Sequence, residues 1–99
     1  MIKANNAATN TENLAIRLRK INFRSKHRGM KELDILLGDF AEHHLETLTA
    51  PQLNQFEALL DEGDNDLFDW ITGKAPPPAK INHDTLRLIQ AFKDSKLRA

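Results

Sequence analysis

Apolar residues recur at three- and four-residue spacing through most of this chain, and glycine and proline cut the pattern into short pieces. A helix buries one stripe of side chains at that period, whereas a half-buried strand needs alternation at period two. No sustained run of β-branched or aromatic residues supplies such alternation. The stripes are Leu14, Leu18 and Ile21; then Leu33, Leu36, Leu37, Phe40, Ala41 and Leu45; then Leu53, Phe56, Leu59 and Leu60; then Leu67, Phe68, Trp70 and Ile71; and last Leu86, Ile89 and Phe92. Helices this short are stable only when their apolar sides cover one another. The sequence therefore predicts one all-α domain, a small bundle of five helices over residues 12–99.

The punctuation places the boundaries. Residues 1–11, rich in Asn, Ala and Thr without apolar periodicity, are expected to form a disordered tail. The first helix is expected from about Glu12 to Lys26. Gly29 suits the left-handed residue after a helix, because it lacks the side chain that clashes there, and Lys26 and Arg28 favour the negative end of the helix dipole. The second helix is expected over about Met30 to Glu46, with Glu32 and Asp34 in its opening turn. Thr49-Ala50-Pro51-Gln52 reads as a capping box for the third, which runs to about Glu62 and is closed by Gly63. Asp64 is expected to cap the fourth, ending near Thr72. Gly73–Ala79, with Pro76-Pro77-Pro78, is a stiff connector, since proline lacks a backbone donor and clashes with a preceding helical turn. Asn82 then offers a cap to a fifth helix through about Leu97.

With 99 residues the chain buries only roughly 60–65% of its unfolded surface. It has material for one small core and little for an enclosed catalytic cavity. Cysteine is absent, so no disulfide forms. No apolar run approaches the ~20 residues needed to span a bilayer, and Met1–Asn13 resembles neither a signal peptide nor an Arg-rich transit helix. The chain reads as soluble, in the bacterial cytoplasm or, if eukaryotic, the mitochondrial matrix. Its net charge of zero hides a strong segregation. Residues 1–31 carry eight Lys or Arg and one acid, residues 32–69 carry eleven acids and no Lys or Arg, and residues 70–99 carry six basic residues and two acids. A basic first helix packed beside acidic neighbours accounts for this, and charges on the outer faces remain available to a partner.

Candidate chemistry is sparse. His43-His44 sits between Glu42 and Glu46, but adjacent histidines on a helix point about 100° apart and cannot easily share one ion. Asp39 with His43 gives two ligands and no third, so no metal site is expected. His27 and His83, at helix ends, read as surface or capping residues. There is no cysteine nucleophile, no phosphate-cradling glycine loop and no supported Ser-His-Asp arrangement. Leu67, Phe68, Trp70 and Ile71 read mainly as core, with the Trp70 indole suited to an interface.

The segment Arg28-Gly29-Met30-Lys31-Glu32-Leu33-Asp34 carries an Arg-Gly-x-x-Glu pattern. It is followed by Asp39-Phe40-Ala41-Glu42 and, at Asp66-Leu67-Phe68-Asp69-Trp70, by a Leu-Phe-x-Trp element. In that combination, from about Arg24 to Gly73, the chain resembles the FAD assembly factors of succinate dehydrogenase, the SdhE or succinate dehydrogenase assembly factor 2 family. The resemblance implies a factor that binds the flavoprotein subunit of succinate dehydrogenase, and by extension of fumarate reductase, and promotes covalent attachment of FAD to a histidine of that subunit. It implies a cofactor-attachment factor rather than an enzyme, with no stably bound cofactor because FAD belongs to the partner; a monomer with no nucleic-acid partner and no membrane insertion is expected. The matching partner-binding positions are Arg28, Gly29 and Glu32, with Asp34 adjoining. Arg28 and Glu32 are expected as exposed charges whose removal costs little folding energy. Phe40, Leu67, Phe68 and Trp70 are expected as core or interface. The rival reading is a nucleic-acid-binding or protein-interaction domain using Arg17, Arg19, Lys20, Arg24, Lys26 and Arg28, against which the acidic central helices would repel a duplex. A small flavin- or metal-binding protein is a second rival.

Overall fold

In the computed structural model the backbone is described for residues 2–98 and the side chains for residues 13–96. Five α-helices follow one another: α1 (Ile2–Lys26), α2 (Lys31–His44), α3 (Ala50–Leu60), α4 (Asp64–Thr72) and α5 (Asp84–Arg98). A single 3-10 turn, Leu45–Thr47, follows α2, and the described residues contain no strand. The all-α expectation holds. The backbone of α1 is helical from Ile2, ten residues before the start expected near Glu12, and so takes in the segment 1–11 expected as a tail; the side chains of residues 1–12 lie outside the described residues.

The predicted stripes meet in one core. Ile21 of α1, Leu33, Leu37 and Phe40 of α2, Phe56 and Leu59 of α3, Leu67 and Ile71 of α4, and Leu86 and Ile89 of α5 are all buried. Each such side chain contributes about 1.5–3 kcal/mol by leaving water. Phe40 occupies the centre, edge-on to Phe56 at 5.6 Å and to Phe92 at 5.7 Å between ring centroids. Leu14 departs from expectation: it stands 46% exposed, so the buried stripe of α1 begins further along, at the half-buried Leu18. Where α1 crosses α2, Gly38 admits the Lys26 side chain, since a Cβ there would come within 3.0 Å of Lys26 Cγ. The buried Thr85 hydroxyl, 2.8 Å from Gln55 Oε1 and 3.1 Å from the Gln52 carbonyl, fastens α5 to α3.

Three further helix ends differ from expectation. The α-helical part of α2 stops at His44, and Leu45–Thr47 tightens into the 3-10 turn, so the helix ends two residues before Glu46. Gly63 does not close α3 in the left-handed region; at φ −66° and ψ 149° it is extended and stands as the N-cap of α4. Asp64 is consequently the first residue of α4 rather than its cap, and its carboxylate faces Arg28 instead of its own helix. At α5 the cap is His83, whose Nδ1 accepts from the Leu86 N–H at 3.3 Å, while Asn82 Oδ1 accepts from Arg87. The capping box at α3 is as expected: Thr49 Oγ1 accepts from the Gln52 N–H at 3.2 Å, and Gln52 Oε1 accepts from the Thr49 N–H at 2.9 Å. Gly73 ends α4 in the left-handed conformation at φ 81°.

Candidate functional site

The turn between α1 and α2 carries the residues singled out by the sequence. Gly29 adopts φ +102°, which L side chains rarely tolerate, and is exposed. Its backbone is fixed from the α2 side: the Arg28 N–H donates to Asp34 Oδ1 at 2.7 Å, and the Asp34 N–H donates to the Met30 carbonyl at 2.8 Å. Asp34 is thus spent on the turn itself. Its position in the first turn of α2 also suits a carboxylate, because the unpaired N–H groups there present partial positive charge.

Arg28 is not the exposed donor the sequence suggested. Its side chain is only 8% exposed, and each guanidinium nitrogen is engaged internally. Nε donates to Asp64 Oδ1 at 2.7 Å, Nη1 to the Leu60 carbonyl at 2.8 Å, and Nη2 to the Glu62 carbonyl at 2.6 Å. The electrostatics explain the choice. The Leu60 carbonyl, at the end of α3, has no partner within its helix and carries partial negative charge, the Glu62 carbonyl of the link lies beside it, and Asp64 lies at the start of α4 where negative charge is favoured. A planar cation between them satisfies both helix ends at once.

Glu32, by contrast, is exposed and makes no hydrogen bond or ion pair among the described residues. It borders a shallow, largely apolar groove lined also by Ile35, Leu36, Phe68, Thr72, Lys93 and Lys96. Ile35, 53% exposed, and the half-buried Phe68 supply its apolar surface. On the other side of the turn, Phe23 is 64% exposed and stacks on His27 with ring centroids 4.1 Å apart. The Phe23–His27 stack, Arg24, Arg28, Glu62, Gly63 and Asp64 line a second open groove. A Cβ at Gly63 would meet no atom within 4 Å, so that side of the glycine faces open space.

The structure therefore brings together Arg28, Gly29 and Asp34 in one hydrogen-bonded turn, with Glu32 beside it on the first turn of α2. Phe40, Leu67 and Trp70 belong to the core, Phe40 also lines a groove with His44, Leu88 and Phe92, and the half-buried Phe68 reaches the groove beside Glu32. The Trp70 carbonyl accepts from Gln90 Nε2 at 3.0 Å, which ties α4 to α5. Sequence reasoning missed Asp64 as the partner of Arg28 and missed exposed Phe23 and Ile35. The only sequence signal for the first was an acid at the start of α4, and that reads as ordinary helix-end chemistry. His43 and His44 both lean on Phe92, and His43 Nδ1 lies 2.8 Å from the Asp39 carbonyl. The Asp39 carboxylate pairs with Lys96. Among the described residues no three His, Cys, Asp or Glu gather around a point that a metal ion would fill, and no helix is long and apolar enough to cross a membrane.

A family profile described as the flavinator of succinate dehydrogenase matches residues 19–93. The chain is 40% identical over 87 residues to the FAD assembly factor SdhE of Acetobacter pasteurianus, an overlap of 88% of this chain and 78% of that one. It is 40% identical over 89 residues to the mitochondrial succinate dehydrogenase assembly factor 2 of Dictyostelium discoideum, covering 90% of this chain and 61% of the relative. With the corresponding protein of Candida glabrata it shares 35% identity over 81 residues, which is 78% of this chain and 53% of that protein. The chain thus spans little more than half the length of these mitochondrial relatives.

Proposed function

The chain belongs to the Sdh5 family, the flavinators of succinate dehydrogenase, and we propose that it binds the flavoprotein subunit of that enzyme through the turn at Gly29 and Glu32 and promotes covalent attachment of FAD to it. The observation that carries this reading is the exposure of Gly29 and Glu32 at the positions where the family pattern stands. A glycine without Cβ lets a partner backbone approach closely, and an unpaired carboxylate accepts charge-assisted hydrogen bonds across an interface.

The reacting atoms belong to others: the 8α-methyl carbon of the flavin and an imidazole of the flavoprotein. Holding that subunit so that the two lie in contact accelerates the step by positioning alone. The chain itself supplies no nucleophile and is a cofactor-attachment factor rather than an enzyme with its own substrate pocket. FAD stays with the partner, and the factor works as a monomer. Two open grooves flanking the turn, with Phe23 and Ile35 exposed in them or beside them, extend the contact area to either side.

The test is reconstitution. Apo flavoprotein subunit is incubated with FAD, with and without the factor, and covalent flavin is read as fluorescence of the denatured subunit after electrophoresis. The factor should raise the rate, or the final extent, in proportion to its concentration up to one equivalent. Equal flavinylation in its presence and absence, with no complex formed on size exclusion, overturns the reading. A factor that elutes yellow after mixing with FAD alone overturns the assignment of the flavin to the partner.

A further inference from the structure

We infer that Asp64 is a positioning residue for the flavoprotein contact, acting through Arg28 on the turn that presents Gly29. The inference rests on the proposed function above and extends it to a residue on a different helix from the Arg28–Glu32 segment.

The geometry leaves Arg28 no part as a free donor. With its side chain 8% exposed and its nitrogens held by Asp64 and by the carbonyls of Leu60 and Glu62, engaging a partner would first require dismantling the junction of α3 and α4. What Arg28 does is fasten the turn. Its backbone N–H is bound by Asp34 and its side chain by the α3–α4 junction, so the residue immediately before Gly29 is anchored at both ends. Asp64 has two faces in this arrangement. Oδ1 receives the Arg28 Nε–H at 2.7 Å, while Oδ2 lies 3.9 Å from the place a Cβ on Gly29 would occupy. One carboxylate therefore both holds the arginine and walls the bare face of the glycine. As the first residue of α4, whose Leu67 and Ile71 are buried in the core, it is itself held in place. The position of Gly29 is set by a residue 35 places along the chain, which a local reading of the turn does not contain.

Two residues that act as one unit show non-additive losses, whereas independent contacts add. The experiment measures flavinylation of the apo flavoprotein against factor concentration for the parental chain, Asp64→Ala, Arg28→Lys, the double variant, and Thr49→Ala as a control that loses a helix cap remote from the turn. Arg28→Lys keeps the charge but not the planar fork that spans two helix ends. Asp64→Ala and Arg28→Lys should each shift the half-maximal concentration upward by about tenfold, equivalent to about 1.4 kcal/mol. The double variant should be no worse than the poorer single one, and Thr49→Ala should follow the parental curve. Amide hydrogen exchange at Gly29 should accelerate in Asp64→Ala and not in Thr49→Ala. If Asp64→Ala does not fold, Asp64→Asn, isosteric and uncharged, replaces it in the same series.

A parental curve for folded Asp64→Ala, additive losses in the double variant, or an equal loss in Thr49→Ala overturns the inference. Failure of the parental chain to promote flavinylation at all is a separate result, seen without any variant, and removes the functional reading on which the inference stands.

Discussion

At the scale of single residues, the Arg-Gly-x-x-Glu segment divides into inward and outward parts. Arg28 faces inward, so Arg28→Ala strands Asp64 and two carbonyls at helix ends; the expected loss is about 3 kcal/mol of folding stability, near the lower bound for a broken buried pair because water reaches Asp64. Glu32 faces outward, and Glu32→Ala should stay within about 0.5 kcal/mol of parental stability. Urea midpoints separate the two, and flavinylation should fall in Glu32→Ala despite its parental midpoint. Equal midpoints for both variants would place Arg28 outside the fold's support. His83 provides a second case. Its half-buried ring accepts the Leu86 N–H through Nδ1, so Nε2 carries the hydrogen, and Nε2 is buried without a partner among the described residues. Burial holds its pKa below the ordinary 6.5, and Arg87 adds in the same direction, against opposing contributions from the backbone and Asp84. A depressed pKa means the unfolded chain takes up a proton first on acidification. The associated stability is complete above about pH 6.5, falls as pH drops below that value, and levels off beneath the folded-state pKa. Melting temperatures at pH 7.5 and 5.5 should therefore differ by more in the parental chain than in His83→Asn, which keeps a cap acceptor and does not titrate.

At the scale of helices, boundaries were legible wherever the signal was local. The capping box at Thr49 and Gln52 satisfies two backbone N–H groups reciprocally within four residues, and nothing distant competes for either side chain. Thr49→Ala should cost about 1 kcal/mol, read as a lower urea midpoint with an unchanged slope. The caps expected at Asp64 and Asn82 failed because each side chain had another partner. Asp64 is drawn to Arg28 and leaves the cap position to Gly63. Asn82 accepts from Arg87 and leaves the α5 cap to His83. A cap is worth about 1 kcal/mol, less than a charge-assisted bond to a nearly buried guanidinium at about 1.5–3 kcal/mol, so at Asp64 the tertiary contact wins. Residues 1–11 carry no continuation of the apolar stripe, and deleting them should change neither melting temperature nor flavinylation. A loss of flavoprotein binding after that deletion would show that the segment takes part in the interface.

For the whole molecule, the charge segregation written along the chain is folded into pairs across helices. Arg17 binds Glu57 and Asn54, Arg24 binds Asp61, and Arg28 binds Asp64, so three of the four arginines of the first basic block meet the acids of α3, α4 and the link between them. The outer two pairs are solvated and worth roughly 0.2–1 kcal/mol each; they orient α1 more than they stabilise it. The weight of the fold lies in the apolar core, where Trp70→Ala should cost about 3–5 kcal/mol. A parental denaturant midpoint with lost flavoprotein binding would instead make Trp70 an interface residue. The five helices, their buried stripes and the family pattern were readable in the sequence, because helical period, backbone restriction at glycine and proline, and local capping all act within a few residues. The inward turn of Arg28, the part played by Asp64, and the exposure of Phe23 and Ile35 were not readable. Those depend on which helix ends meet in space, and the charge of an arginine is the same whether it finds solvent or the carbonyls of another helix.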